Sequence, residues 1–280
     1  MGAPKLQTTI GNQDYRKICS YLYQSAGIRL GESKQNLVES RLLKRLQALN
    51  LSSFAEYIEI LEKNSKNETP HLIEAMTTHK TEWFRESIHF DFLKDEIPKL
   101  KNRPMYIWSA ACSTGEEVWS IALLLKEMQV EPKNFRLLGS DISLDVVEVA
   151  RKGMYPARGS QAPPFNSLTR DFFNLRRDCD PPKLEVKDEY RTSVKFRNVN
   201  LVNFDLPGDL KFDFIFLRNV LIYFDLDSTR KVISKITKHL KPGGYLLLGM
   251  SESIGDHAGD TFGESTLQLQ SCGQAIYRFR

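Results

Sequence analysis

Trp108-Ser109-Ala110-Ala111-Cys112-Ser113-Thr114-Gly115-Glu116-Glu117 is the stretch that decides the fold. An apolar, strand-like run from Met105 to Cys112 passes through small residues into an amphipathic helix, Glu116 to Met128. Strand, tight turn and helix in that order form the entrance of a nucleotide-binding α/β domain, where small residues let a ligand approach the backbone. Dinucleotide folds offer free N–H groups to a pyrophosphate in this first helical turn. Glu116 and Glu117 stand there instead and would repel phosphate. They also fit a plain helix cap, because Ser113 with Glu116, or Thr114 with Glu117, spells S/T-x-x-E, and the helix dipole favours acids in a first turn. Capping and ligand contact both stay open at this point.

Working outward, the 280 residues suffice for one sizeable core, or for a main domain with a smaller one. A net charge of +4 is too mild to point to bulk nucleic-acid binding, so any electrostatic partner must be read from local clusters. No apolar run approaches the length of a membrane span, and the N-terminus lacks the basic flank and apolar stretch of a signal peptide. Cys19, Cys112, Cys179 and Cys272 are scattered without CxxC spacing. The expectation is a cytoplasmic protein with reduced thiols and no metal site.

The first third is helical and lacks a convincing strand. Helices are expected at about Asp14 to Ala26, Ser33 to Asn50, Ser53 to Lys63 and Pro70 to His79, with Asn64 to Glu68 as a loop. Ser53 and Glu56 form a capping box, and Pro70 suits a first helical position. A further helix, about Ser87 to Leu100, leads to the first strand. From Met105 strands and helices alternate, which argues a mostly parallel sheet covered on both faces. Gln274 to Phe279 reads as a terminal antiparallel strand. Between Gly153 and Arg191 prolines break the rhythm, so a small β insertion is expected there. The division is thus a helical domain, residues 1–78, and an α/β domain, residues 79–280.

Asp141 ends the second strand about 25 residues after Gly115. An acid at that place suits ribose hydroxyls, or caps the next helix. Asn200-Leu201 and Arg218-Asn219-Val220-Leu221-Ile222-Tyr223-Phe224 follow the next two strands, at the edge where open α/β sheets bind ligands. S-adenosylmethionine, with its sulfonium, ammonium and ribose, suits such an acidic entrance. Thr81, Trp83, Phe84 and Arg85 lie where the helical region hands over to the sheet.

Thr81-Glu82-Trp83-Phe84-Arg85-Glu86, the Trp108 to Glu117 run, Ser140-Asp141-Ile142, Asn200-Leu201 and Phe216 to Phe224 together resemble CheR, the family of chemotaxis methyltransferases that methylate glutamate side chains of chemoreceptors. The resemblance covers nearly the whole chain, in the family's order. It implies a class I S-adenosylmethionine-dependent methyltransferase (Rossmann-like) sheet with a small inserted β-subdomain at about residues 172–196, preceded by a small all-α domain. It further implies cofactor contacts from His79, Thr81, Arg85, Glu116, Asp141, Asn200, Leu201, Arg218 and Asn219, with S-adenosylhomocysteine as product. His79 stands where the family commonly has Asn. Arg85 and Tyr223 are implied beside the transferred methyl group as the catalytic pair. A glutamate is already ionised and needs no general base, so alignment and exclusion of water are what an enzyme can add.

On the second helix, Val38, Leu42, Leu46 and Leu49 share one face, while Lys34, Arg41, Lys44 and Arg45 fall on a neighbouring one. That basic face is either solvated or a dock for the acidic helical cytoplasmic region of a methyl-accepting chemoreceptor. The equivalent of the family's Gly-rich receptor-peptide loop, Arg176 to Pro182, has no glycine, which argues against peptide tethering. The expected protein is a monomer that neither binds nucleic acid nor inserts in the membrane. The alternatives are a non-catalytic adaptor and a methyltransferase of the same fold with another substrate.

Overall fold

The computed structural model describes residues 9–100, 103–164, 166, 169–254 and 268–280. Its contacts divide the chain into two compact units, one of residues up to Thr78 with Tyr223–Ser228, the other of His79–Ile222 with Thr229–Arg280.

The helical unit contains α1 (Asn12–Ala26), α2 (Gln35–Ala48), α3 (Phe54–Lys63) and α4 (Ser65–Met76). Their apolar stripes meet in a core that includes Ile18, Leu22, Val38, Leu42, Phe54 and Leu72. Gly27 ends α1 in the left-handed conformation (φ 69°), its N–H on the Tyr23 carbonyl, as a glycine C-cap does. The Ser53 hydroxyl accepts the Glu56 N–H at 3.3 Å and caps α3, while the Glu56 carboxylate reaches back one residue further, to the Ser52 N–H at 2.8 Å and the Ser52 hydroxyl at 2.6 Å. The segment 223–228 joins this unit through an Ile28–Phe224 bridge and an Arg29 N–H bond to the Tyr223 carbonyl.

Two expectations fail here. Asn64 to Glu68 is not a loop: α4 starts at Ser65 and carries Pro70 inside it. The reason lies in Glu68, 4% exposed, which accepts Arg45 Nε at 2.8 Å and Nη2 at 2.7 Å and so holds the first turn of α4 against α2. The basic face of α2 is correspondingly reduced. Arg45 is spent on Glu68, and Arg41 donates to the Met76 and Thr77 carbonyls (2.6 and 3.2 Å) and to the Thr78 hydroxyl, satisfying orphan carbonyls at the end of α4. Lys34 and Lys44 remain exposed.

The second unit opens with α5 (Ile88–Glu96) and continues as β1 (Met105–Ala110), α6 (Glu116–Glu127), β2 (Phe135–Asp141), α7 (Leu144–Lys152), β3 (Met154–Pro156), β4 (Phe173–Arg176), β5 (Lys183–Val186), α8 (Asp188–Arg191), β6 (Val194–Asn198), β7 (Phe212–Leu217), α9 (Leu226–Thr237), β8 (Leu240–Leu248), β9 (Leu269–Ser271) and β10 (Ile276–Phe279). The main sheet has seven strands in the order β6-β2-β1-β7-β8-β10-β9. The first five are parallel, β10 runs antiparallel to β8, and β9 antiparallel to β10. Strand order reverses between β1 and β7, which makes the carboxyl ends of these two strands the crevice where such sheets bind ligands. Ser109 lies level with Gly139 on one side and Phe216 on the other, so those ends line up.

Helix α6 is not amphipathic as expected, because every residue from Val118 to Leu125 is buried. The sheet covers one side, and Phe90 and Leu93 of α5 belong to the same core. The one hydroxyl in that run, Ser120, is satisfied by the Glu116 carbonyl and the Phe84 N–H. The inserted sheet has the order β3-β5-β4 and is antiparallel. It draws its first strand from Met154, whereas Val194 to Asn198 forms the edge of the main sheet beside β2.

Replacing Arg45 by Ala leaves the Glu68 carboxylate buried without its cation, and the expected cost is about 1.5–3 kcal/mol. Burial raises the Glu68 carboxyl, but Arg45 outweighs it and holds the group below the ordinary glutamate range. The pair therefore stabilises the unit above that range and stops doing so as pH falls through it. Urea unfolding of wild type and Arg45→Ala checks this: their difference is full near neutral pH and shrinks in acid.

Candidate active site

The turn from β1 into α6 is built from backbone that most residues avoid. Ala111 (φ 77°), Ser113 (φ 50°) and Gly115 (φ 94°) are all left-handed. Such residues persist only where neighbours over-determine them. Ala111 and Cys112 both donate to the Ser140 carbonyl at 2.8 Å, the Ser113 N–H reaches Asp141 Oδ2 at 2.9 Å, and the Ser113 hydroxyl reaches the His79 carbonyl at 3.0 Å. Gly115 has no alternative residue, since a Cβ there would lie 2.7 Å from Ala150 Cβ and 2.9 Å from the Tyr155 hydroxyl. That hydroxyl, from β3, donates to the Thr114 carbonyl at 2.7 Å. The small sheet thus buttresses the turn.

Neither capping box expected at this helix forms, because Gly115 is the N-cap and gives no side-chain bond. The two glutamates part instead. Glu117 Oε1 accepts the Ser109 hydroxyl at 2.6 Å and Oε2 accepts Arg218 Nη1 at 2.8 Å. Glu116, 7% exposed, accepts the Thr114 hydroxyl at 2.6 Å and its own backbone N–H, and among the described residues no cation pairs with it. Burial pushes its carboxyl up, against the Thr114 bond that lowers it. Asp141 spans the ends of β1 and β2, with Oδ1 on the Ser143 N–H at 3.1 Å. The cap of α7 is Ser143 itself, whose hydroxyl accepts the Val146 N–H. Asn200 turns its own backbone, Oδ1 accepting the Val202 N–H, and Leu201 is buried beside it.

Beyond β7, the Arg218 guanidinium is 1% exposed and fully engaged. It meets Glu117, pairs with Glu86 at 3.0 Å and donates to the Arg85 carbonyl. Asn219, left-handed at φ 57°, donates its N–H to Glu252 at 2.7 Å and its side chain to Glu86 at 3.2 Å. Glu252 also takes the Leu221 and Gly249 N–H groups. Arg85, half-buried, donates among the described residues to the Lys80 carbonyl at 3.2 Å. His79 and Thr81 are half-buried in the same segment. Tyr223 closes the 3-10 turn Leu221–Tyr223 and is held by its carbonyl to the Arg29 N–H within the helical unit.

By the strands they follow, Glu116, Asp141, Asn200, Leu201, Arg218 and Asn219 lie at one edge of the sheet domain, where hydrogen bonds also tie the His79 carbonyl to Ser113 and the Arg85 carbonyl to Arg218, with Thr81 between those two in sequence. Sequence reasoning passed over Glu86 and Glu252. Glu86 belongs to the Thr81–Glu86 motif, but its partner Arg218 is 132 positions away, and nothing local marks Glu252. Counting charges, Arg218 and Arg85 bring two positive charges against the carboxylates of Glu86, Glu117, Glu116 and Asp141, so the edge is net negative. An acidic, cation-poor cradle beside a glycine turn fits S-adenosylmethionine, which brings positive charge and ribose hydroxyls, and does not fit a pyrophosphate.

Fold and site define an S-adenosylmethionine-dependent methyltransferase. Residues 79–269 match the family model of the CheR methyltransferase SAM binding domain, and residues 13–77 that of the CheR methyltransferase all-alpha domain. The chain is 39% identical over 262 residues to the chemotaxis protein methyltransferase of Borreliella burgdorferi, covering 89% of this chain and 91% of that one. It is 38% identical to chemotaxis protein methyltransferase 1 of Vibrio cholerae (88% and 91% covered) and 36% identical to the chemotaxis protein methyltransferase of Salmonella typhimurium (96% and 90%). The chain belongs to the CheR methyltransferase family.

Because Glu116 is raised, ionising it costs the ligand-free protein stability as pH rises from the ordinary glutamate range upward. Glu116→Gln removes that cost. It is expected to melt higher than wild type at neutral pH without ligand, yet to lose on the order of 1.5–3 kcal/mol of S-adenosylmethionine affinity. Thermal melts across pH with calorimetric titration check both; a gain in stability with unchanged affinity would take Glu116 out of the site.

Proposed function

We propose that this chain methylates glutamate side-chain carboxylates of chemoreceptors, giving glutamyl methyl esters. The observation that carries the reading is the contrast between two arginines at the same strand edge. Arg218 is saturated by Glu86 and Glu117, whereas Arg85 has a carbonyl contact and no carboxylate among the described residues. A substrate carboxylate supplies the missing acid.

S-adenosylmethionine, when bound, supplies a methyl group on a positively charged sulfur. Glu116 and Asp141 hold the cofactor through charge and ribose hydroxyls, with His79, Thr81, Asn200, Leu201 and Asn219 around it. Arg218 acts on the cofactor side chiefly by fixing Glu117. Arg85 and the Tyr223 hydroxyl hold the carboxylate in line and exclude water, which is all that an ionised nucleophile requires. No general base enters, because no proton is transferred.

The helical unit serves the receptor. Lys44, exposed on α2, and Lys34, exposed just before it, are the cations available to an acidic helix, and Arg41 and Arg45 support them by fixing α4 against α2. The place of action is the cytoplasmic side, where receptor methylation regions lie; among the described residues no helix is long and apolar enough to cross a membrane.

Labelled methyl transfer into receptor fragments tests the reading, with base-labile release of the label expected. A base-stable product would put the methyl on nitrogen and overturn the carboxylate assignment. Tyr223→Phe is expected to lower the single-turnover rate about tenfold while leaving cofactor affinity near wild type, as for an interaction made mainly in the transition state. A wild-type rate in Tyr223→Phe returns that ring to packing.

A further inference from the structure

Arg85 stands between two residues in the left-handed region, Phe84 (φ 51°) and Glu86 (φ 54°). Neither is a residue that adopts this conformation readily, and the bulky Phe least of all. Such a turn persists only if its surroundings hold it. On one side the Phe84 N–H is fixed to the Ser120 hydroxyl at 3.0 Å, and the Phe84 ring packs on Phe90 at 5.0 Å. Trp83 stands edge-on to Tyr155 and Phe173 of the small sheet. On the other side Glu86 is held from every direction. Arg218 Nε and Nη2 reach its Oε2 at 3.3 and 3.0 Å, the Met250 N–H reaches the same oxygen at 3.2 Å, and Asn219 Nδ2 reaches Oε1 at 3.2 Å. Arg218 also takes the Arg85 carbonyl itself.

We propose that Glu86 is a positioning residue, and that its buried pairing with Arg218 latches a strained turn so that Arg85 is presented at the sheet edge. The latch rests on the reading that Arg85 acts on the substrate carboxylate. Glu86 touches neither substrate nor cofactor; it works through the backbone on either side of it. The hydrogen bonds and charge from Arg218 and Asn219 outweigh burial and keep Glu86 ionised. His89 does not compete for it: burial pushes that imidazole down to the neutral form, with Nδ1 3.7 Å from Glu86 Oε2 and Nε2 on the Gln274 carbonyl. Among the described residues the cation that pairs with Glu86 is therefore Arg218.

Two substitutions separate a latch from mere scaffolding. Glu86→Gln keeps the shape and removes the charge. Glu86→Asn removes the reach but accepts the left-handed backbone more readily than Glu, which offsets part of the lost pairing. Each is measured for melting temperature, calorimetric affinity for S-adenosylhomocysteine and single-turnover methylation of a receptor fragment, beside Arg85→Ala. The expected result is a rate at least about tenfold below wild type in both Glu86 variants, with product affinity held within about threefold. Wild-type rates in Glu86→Asn, with Arg85→Ala impaired, overturn the latch alone. A rate that falls only in step with product affinity and melting temperature overturns it as well, in favour of a general structural role. A silent Arg85→Ala would instead remove the reading of Arg85 on which the latch depends.

Discussion

The pairing of Arg218 with Glu86 and Glu117 is the constraint on which the crevice depends. Removing a guanidinium from water costs several kcal/mol, and in a closed site only close, well-directed acceptors return it. Three groups from two parts of the chain do so: a carboxylate from the first turn of α6, and from the segment before α5 both the Glu86 carboxylate and the Arg85 carbonyl. None of the three can move independently while Arg218 stays buried. The end of β7, the start of α6 and the Thr81–Glu86 segment are thereby fixed to one another. The left-handed residues at Phe84, Glu86 and Asn219 are held within this frame.

A division of labour follows among like residues. Glu116 and Glu117 are neighbours on one helix, and a step of 100° sends their side chains to different surroundings. Glu117 turns to Ser109 and Arg218 and serves the protein; Glu116 turns to Thr114 and is left without a cation. Arg218 and Arg85 divide in the same way. In each pair one charge is neutralised inside the fold, and the other, without an opposite charge among the described residues, is the one we propose for what binds. The same economy recurs on α2, where Arg41 and Arg45 tie down α4 while Lys34 and Lys44 stay in solvent.

What could be read in the sequence was local. Strand–turn–helix order at Met105 to Met128 and the acid at the end of β2 depend on residues close together, so periodicity and spacing placed Glu116 and Asp141 at adjacent strand ends. What could not be read was pairing across long separations. Arg218 and Glu86 are 132 positions apart, and Asn219 and Glu252 are 33 apart. The helix at Ser65 to Thr69 eluded the sequence for the same reason: its residues are polar and its proline comes late, and Glu68 becomes a core residue only when Arg45 arrives from α2. Helix α6 misled in the opposite direction: expected to be amphipathic, it is buried from Val118 to Leu125, and the hydroxyl in that run, Ser120, is satisfied by the Phe84 N–H and the Glu116 carbonyl.

Stability and function are set against each other at Glu116. A buried carboxylate with one hydroxyl partner is a cost that packing with an amide would avoid, and no neighbouring residue relieves it. The same absence makes the cradle selective. A cation supplied from within the chain would quench the field that favours a sulfonium and an ammonium over a phosphate. The fold tolerates that uncompensated charge because the frame around it, Glu117 with Arg218 and Asp141 with the Ser113 and Ser143 N–H groups, is satisfied without it. On the proposed reading the site is rigid where it positions and unsatisfied where it binds, so that a cationic ligand completing the missing pair would stabilise the fold by the act of binding.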